Sequence, residues 1–185
     1  MRVLIAGILG AIAMFVWSSV AHLATPLATT GFSQIPSEAP VLAAMHNSIG
    51  DKNGLYFFPW VDPKDPKMMD KEAALMKANP SGLLIYHPPG ADTGMGLSRL
   101  GAEFGKQLVV SLLAAWLLSM AAIASYLKRV CFVSGLGLAA AITTNVSYWI
   151  WYGFPTDYTL AYAFTDFFGY VVAGFAIAWW MGRKA

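Results

Sequence analysis

Asp166 is the first residue whose chemistry calls for an explanation, because it stands inside the apolar stretch 158–181. If that stretch is helical, Asp166 lies about 12 Å from its start, at 1.5 Å per residue. A carboxylate at such a depth in lipid is costly and normally faces a packed interior, a wet cavity or a partner. Asn145 lies at nearly the same distance from the end of the preceding apolar stretch, and only residues 153–157 separate the two stretches. Antiparallel helices would therefore bring Asn145 and Asp166 to one level, and Ser18 in the first apolar stretch is expected there too. Helical spacing sets Ser134, Ala141, Asn145, Tyr148 and Tyr152 on one face, and Tyr162, Asp166, Tyr170 and Ala173 on another. Such a cluster would suit a proton or cation site, or an anchor for a polar ligand. The competing reading is structural, with a protonated Asp166 acting as hydrogen-bonded glue between helices.

The histidines are His22, His46 and His87, and Met45, Met68, Met69, Met76 and Met95 bring soft sulfur. These are donor types found in zinc and copper centres. The histidine spacing matches no local metal motif, so no metal and no cofactor are expected, and Met68, Met69 and Met76 are read as core filling. Tyr86 and His87, followed by Pro88-Pro89-Gly90, lie near a second aromatic run over 54–60 and could shape a binding groove. Aromatic core packing is the plainer use of the same residues. Cys131 stands alone, which excludes an internal disulfide and a multi-cysteine metal site. No nucleophile elbow, phosphate-binding loop, H-E-x-x-H pair or dinucleotide turn occurs, so no catalytic residue is assigned and a non-enzymatic role is expected.

The elements that would position these residues follow from composition. The 185 residues are 57% hydrophobic and 12% charged, about half the usual charge of a soluble domain. Of the 12 basic and 10 acidic residues, 15 fall within 25–106. The remainder of the chain is therefore nearly uncharged, which excludes a soluble globular domain, a coiled coil and a disordered chain. A net charge of +2 with no basic stripe excludes a nucleic-acid partner.

Four apolar runs, 3–24, 107–127, 130–152 and 158–181, are each long enough to cross a hydrocarbon core as a helix. Pro26 stops the first, Lys128-Arg129 separates the second from the third, and Pro155 separates the third from the fourth. Tyr148, Trp149, Trp151, Tyr152 and Tyr158 would sit at one membrane interface, and Trp179 and Trp180 at the other. Arg2, Lys128, Arg129, Arg183 and Lys184 fall on one side without an acid among them, so both termini are expected in the cytoplasm and 25–106 outside the inner membrane. The first run also has the outline of a cleavable signal, with Ser19-Val20-Ala21 as the processing site. Its extension to Ala24 and the small-residue face Gly7, Ala11, Met14 and Ser18 favour a retained span.

Within 25–106 the pattern predicts a helix over 38–46 entered at Ser37, with Pro40 in its first turn and Gly50 beyond it. Strands are predicted over 54–59 and 83–87, paired around a helix over 68–77 whose Asp70, Glu72 and Lys77 suit the helix dipole. From about Leu97 the chain is expected to turn helical and run into the second span, with Arg99, Glu103 and Lys106 above the membrane interface. The fold class expected is a membrane all-α bundle of four transmembrane helices, with a small α+β extracytoplasmic cap inserted between helices one and two. The divisions are 1–24, 25–106 and 107–185. The functional expectation is an accessory or binding subunit of an envelope complex, with membrane lipids and a membrane-protein partner or a second copy as its contacts. The alternatives are a proton- or cation-coupled transporter using Asp166, and a membrane enzyme on a lipid-like substrate using His22 or His87 with Asp166.

Overall fold

The computed structural model describes residues 1–94 and 96–183; Met95 and Lys184, both named among the sequence expectations, lie outside the described residues, as does Ala185. Along the chain the elements are α1 (Arg2–Ala24), a short 3-10 turn (Pro26–Ala28), α2 (Glu38–Ile49), β1 (Gly54–Phe58), α3 (Met68–Ala78) and β2 (Gly82–Tyr86). There follow α4 (Leu97–Met120), α5 (Tyr126–Ala141), a π-helical segment (Ile142–Val146), α6 (Ser147–Tyr152) and α7 (Thr156–Gly182). The protein is mostly helical with one two-stranded sheet. Four helical stretches, α1, α4, the continuous 126–152 and α7, are long and apolar enough to cross a membrane.

The chain divides into two compact units, 33–94 and the rest. In the larger one, α1 packs on both α4 and α7, and α7 also packs on α5. The shared core is built from Ala6, Met14, Ala114, Ala115, Leu118, Val133, Ala173 and Ile177. Its small residues allow close backbone approach, the kind of packing by which helices long and apolar enough to cross a membrane associate. Gly7 shows the consequence: a Cβ there would meet the Leu112 backbone at 2.9 Å.

The second and third spans differ from the sequence expectation at their junction. The second ends at Met120 and the third begins at Tyr126, so the turn lies at 121–125 and Lys128 and Arg129 sit in the first turns of α5. The apolar Ala121, Ala122 and Ala124 conceal this turn from hydropathy. The chain reverses there by placing Ala122 at φ +49°, a left-handed conformation that costs an alanine about 1–2 kcal/mol. Ala122→Gly relieves this strain but adds about 0.4–1 kcal/mol of unfolded-chain entropy to be overcome. The net expectation is a gain of about 0.5 kcal/mol, read as a small rise in unfolding temperature of the detergent-purified protein; a fall would show that the turn is not held as described.

In the smaller unit, β1 and β2 pair antiparallel with Gly54 opposite Tyr86 and Phe58 opposite Gly82. Helices α2 and α3 occur where the pattern predicted them, each longer than expected at its C-terminal end. Ser37 stands at the N-cap of α2 but its side chain makes no capping hydrogen bond. Ahead of α3, Asp65 accepts the Lys67 amide at 2.9 Å and pairs with the Lys71 ammonium. The Lys71 contact first, then the Lys67 amide, hold the Asp65 carboxyl below its ordinary pKa. Tyr86 is the buried residue of this unit, its hydroxyl donating to the Gly50 carbonyl at 2.9 Å. The reading of Met68, Met69 and Met76 as core filling is corrected here: Met69 and Met76 are exposed, and Met68 only half-buried. A helix with no buried residue has no interior for them to fill.

Candidate functional site

The connection of residues 153–155 between α6 and α7 forces antiparallel neighbours, and the level match between Asn145 and Asp166 results from it. Asn145 Nδ2 donates to Asp166 Oδ2 at 2.9 Å and to the carbonyl of Ala141 at 3.1 Å. The Ala141 carbonyl can only accept, so the amide group facing it must be the NH2, which settles the orientation of the Asn145 side chain. Asn145 is therefore the donor and Asp166 the acceptor. Both amide hydrogens are used, and no further hydrogen bond reaches Asp166 among the described residues.

Local backbone geometry aims the Asn145 side chain. Asn145 sits in the π-helical segment, where one extra residue per turn rotates the remainder of the span by about 100°. The buried stripe Val130, Val133, Gly137, Ala141 and Asn145 consequently stops there, and Tyr148 and Tyr152 are exposed instead of continuing the same face. The predicted common face holds only as far as Asn145.

The two partners differ in burial. Asn145 is 7% exposed, whereas Asp166 is an exposed residue of α7. The residue before it, Thr165, is held from α1 by Trp17, whose Nε1 donates to the Thr165 carbonyl at 2.9 Å. Trp17 also packs its ring on Phe168, 4.5 Å between centroids. This fixes the rotation of α7 about its axis, and Asp166 comes to lie on the outer surface of the helix group rather than in its interior.

Ser18 does not join this pair. Its hydroxyl donates to the Phe15 carbonyl at 3.1 Å and accepts from Gln107 Nε2 at 3.1 Å. Gln107 also donates to Glu103 Oε1 at 2.9 Å, and Lys106 pairs with the same carboxylate at 2.8 Å. This second polar cluster, between α1 and α4, is one that sequence reasoning missed, since it placed Glu103 and Lys106 at the interface without joining them to a span. The signal available was Gln107 and Ser111, two polar residues four apart within an apolar run. Both are buried, and among the described residues Gln107 Oε1 and Ser111 Oγ find no hydrogen-bond partner.

His22 bonds through Nδ1 to the Ser18 carbonyl at 2.8 Å and is exposed. With Ala21, Leu27, Ala28, Tyr162 and Thr165 it borders a slot too narrow for a water molecule. His46 and His87 are exposed in the other unit, where Tyr86 beside His87 is buried. Among the described residues no group of three histidine, cysteine or acidic side chains comes together that could hold a metal ion. A larger open recess, about 270 Å³, lies at the opposite end of the spans from Asp157, beside Arg129 and Met181.

No protein-family model, no curated protein and no solved structure matches the chain.

Proposed function

We propose that this protein is a non-enzymatic accessory or binding subunit of an envelope membrane complex, joined to its partner through the face of α7 that carries Asp166. The observation that carries the reading is an exposed carboxylate with one hydrogen bond at membrane depth. Asp166 is ten residues into the 27-residue α7, hence about 15 Å along a helix about 40 Å long. In a hydrocarbon core of about 30 Å centred on that helix, it lies about 10 Å inside the edge. Exposure of the charged group there costs up to about 2.5–3.5 kcal/mol, and one hydrogen bond to it returns about 1.5–3. The deficit favours a covering helix that supplies a cation or further hydrogen-bond donors.

The smaller unit supports the same reading independently. Its cross-strand partners Leu55 and Ile85 are both exposed, at 64% and 67%, as are Trp60 and Met69. A unit that buries so little of its own apolar surface needs a surface supplied by something else.

The orientation belongs to the proposal: the basic end faces the cytoplasm, the termini with it, and 25–106 lies outside. Reporter fusions after Lys128 and after Ala185 are expected to report cytoplasm, and one at Lys64 the exterior. For the subunit reading, the full chain is purified in mild detergent and its co-eluting proteins and lipids are identified by mass spectrometry. A stoichiometric membrane-protein partner, or a second copy, is expected with the wild type and lost with Asp166→Leu. A lone chain that moves protons or cations across vesicle membranes, and stops with Asp166→Asn, would instead establish the transporter. A partner retained in full by Asp166→Leu would sink the proposed interface.

A further inference from the structure

The basic end of the spans is a built site of its own. Arg2 at the start of α1 donates through Nη2 to the Met181 carbonyl at 2.9 Å, which brings it to the C-terminal end of α7. Arg129 reaches the same end from α5. Its Nε donates to the Ile123 carbonyl at 2.6 Å, pinning the guanidinium across the 121–125 turn. Gly182 leaves the room it needs, since a Cβ there would stand 2.9 Å from Arg129 Nη1. Arg183 lies over the ring of Trp179, 3.9 Å from its centroid, and 5.2 Å from that of Trp180.

Three guanidinium groups thus converge where one helix ends. The α7 C-terminus offers about half a negative charge. Among the described residues no carboxylate pairs with Arg2, Arg129 or Arg183; the salt bridges found are Lys71–Asp65 and Lys106–Glu103. The acids of the candidate spans, Glu103 in the first half of α4 and Asp157 and Asp166 in the first half of α7, lie away from this end. Among the described residues, more than two positive charges at this end remain uncompensated.

At this end lies the recess of about 270 Å³, room for several water molecules at about 30 Å³ each; of the three arginines Arg129 lines it, and Arg2 is tied to its wall residue Met181. Arg129 and Ser119 line it, and its other walls include Leu118, Ile123 and Met181. The Ser119 hydroxyl gives its one hydrogen to the Trp116 carbonyl, so among the side chains lining the recess the guanidinium of Arg129 is the donor left for an anion. The exposed rings of Trp116 and Trp179 occur on the last turns of α4 and α7, the level of a membrane interface.

We infer that this recess binds the phosphate of an anionic phospholipid headgroup, with the acyl chains against the exposed apolar surface of α4 and α7. The guanidinium fork matches two phosphate oxygens, and basic pockets between spans on one membrane side are suited to such headgroups. The exposed apolar surface of α4 and α7, with Trp116 and Trp179 on their last turns, argues for a lipid over a soluble anion, which would gain nothing from it. This inference does not depend on the partner proposed for Asp166, which belongs to a different part of α7.

The test is native mass spectrometry of the full chain in detergent, with phosphatidylglycerol, phosphatidylcholine or inorganic phosphate added. One phosphatidylglycerol per chain is expected to survive activation that strips phosphatidylcholine. Arg129→Gln is expected to lower its retention about tenfold relative to phosphatidylcholine, while Lys128→Gln, an exposed neighbour outside the recess, changes it less than about twofold. Should Arg129→Gln fail to fold, Arg2→Gln, at the residue bonded to the carbonyl of the wall residue Met181, is expected to lower the same ratio. Equal retention of the two lipids, or a ratio unmoved by both arginine variants, overturns the site. An equal effect from inorganic phosphate alone overturns its assignment to a lipid.

Discussion

Gly137→Ala is expected to destabilise the protein by about 1–3 kcal/mol, while Gly135→Ala, two residues away on the same helix, stabilises it by up to about 1 kcal/mol. Both changes replace glycine by a better helix former, so propensity favours each alike. The difference lies in what a methyl group meets. At Gly135 nothing stands within 4 Å, but at Gly137 a Cβ would fall 2.3 Å from Tyr170 Cβ and 2.4 Å from its Cγ. Tyr170 cannot swing clear, because the clash includes its own Cβ, which moves only with the α7 backbone. Helices α5 and α7 would have to part along the contact that places Asn145 beside Asp166. Unfolding of the two variants in one detergent measures the opposed signs; equal shifts would show that α5 and α7 do not pack at Gly137.

Asn145→Leu is expected to cost about 1–3 kcal/mol, whereas Asp166→Leu leaves the isolated chain within about 1 kcal/mol of wild type. The asymmetry follows from burial and from hydrogen-bond direction. Asn145 is buried and its amide donates to Asp166, so its loss leaves the Asp166 carboxyl without that hydrogen bond and forces an apolar side chain into a packed polar position, while the Ala141 carbonyl keeps its backbone partner in the π-helical turn. Asp166 is exposed and only accepts; removing it leaves one amide hydrogen unused but also removes a polar group from an apolar surface. Asn145→Asp should be worse than leucine, since an ionised carboxylate would face an acceptor on each side. Thermal unfolding in detergent gives all three values. If Asp166→Leu proves as damaging as Asn145→Leu, the carboxylate is part of the packed interior and its exposed position is wrong. Together with the loss of partner expected for Asp166→Leu, near-neutral stability would separate a role in assembly from a role in folding.

The spans, both strands and the helices of the smaller unit were legible from the chain because each depends on local facts. An apolar run of about 20 residues must be helical wherever it meets lipid, since its backbone groups have no other partners. The strand pair follows from aromatic and β-branched runs ended by proline, and the register left Tyr86 to pack inward. The pairing of Asn145 with Asp166 was legible for a similar reason. A connection as short as 153–155 permits only one relation between the helices it joins, and depth is then simple counting.

Rotation about a helix axis was not legible, and it decided the rest. A span that is apolar on every side carries no amphipathic signal to say which side faces its neighbours. The packing of Trp17 on Thr165 and Phe168, of Gly137 on Tyr170 and of Gly7 on Leu112 sets those rotations. Through them Asp166 is turned outward, and Ser18 is turned to Gln107 instead of to Asn145. The π-helical turn at 142–146 shifted the face of the third span by a residue that hydropathy does not register. The turn at 121–125 stayed hidden because its alanines look like more helix, and with it went the placement of Arg129 across a recess. Residue types and their depths are properties of the chain alone; which of them meet, and which are left facing outward, is set only when every helix has found the neighbour its small residues admit.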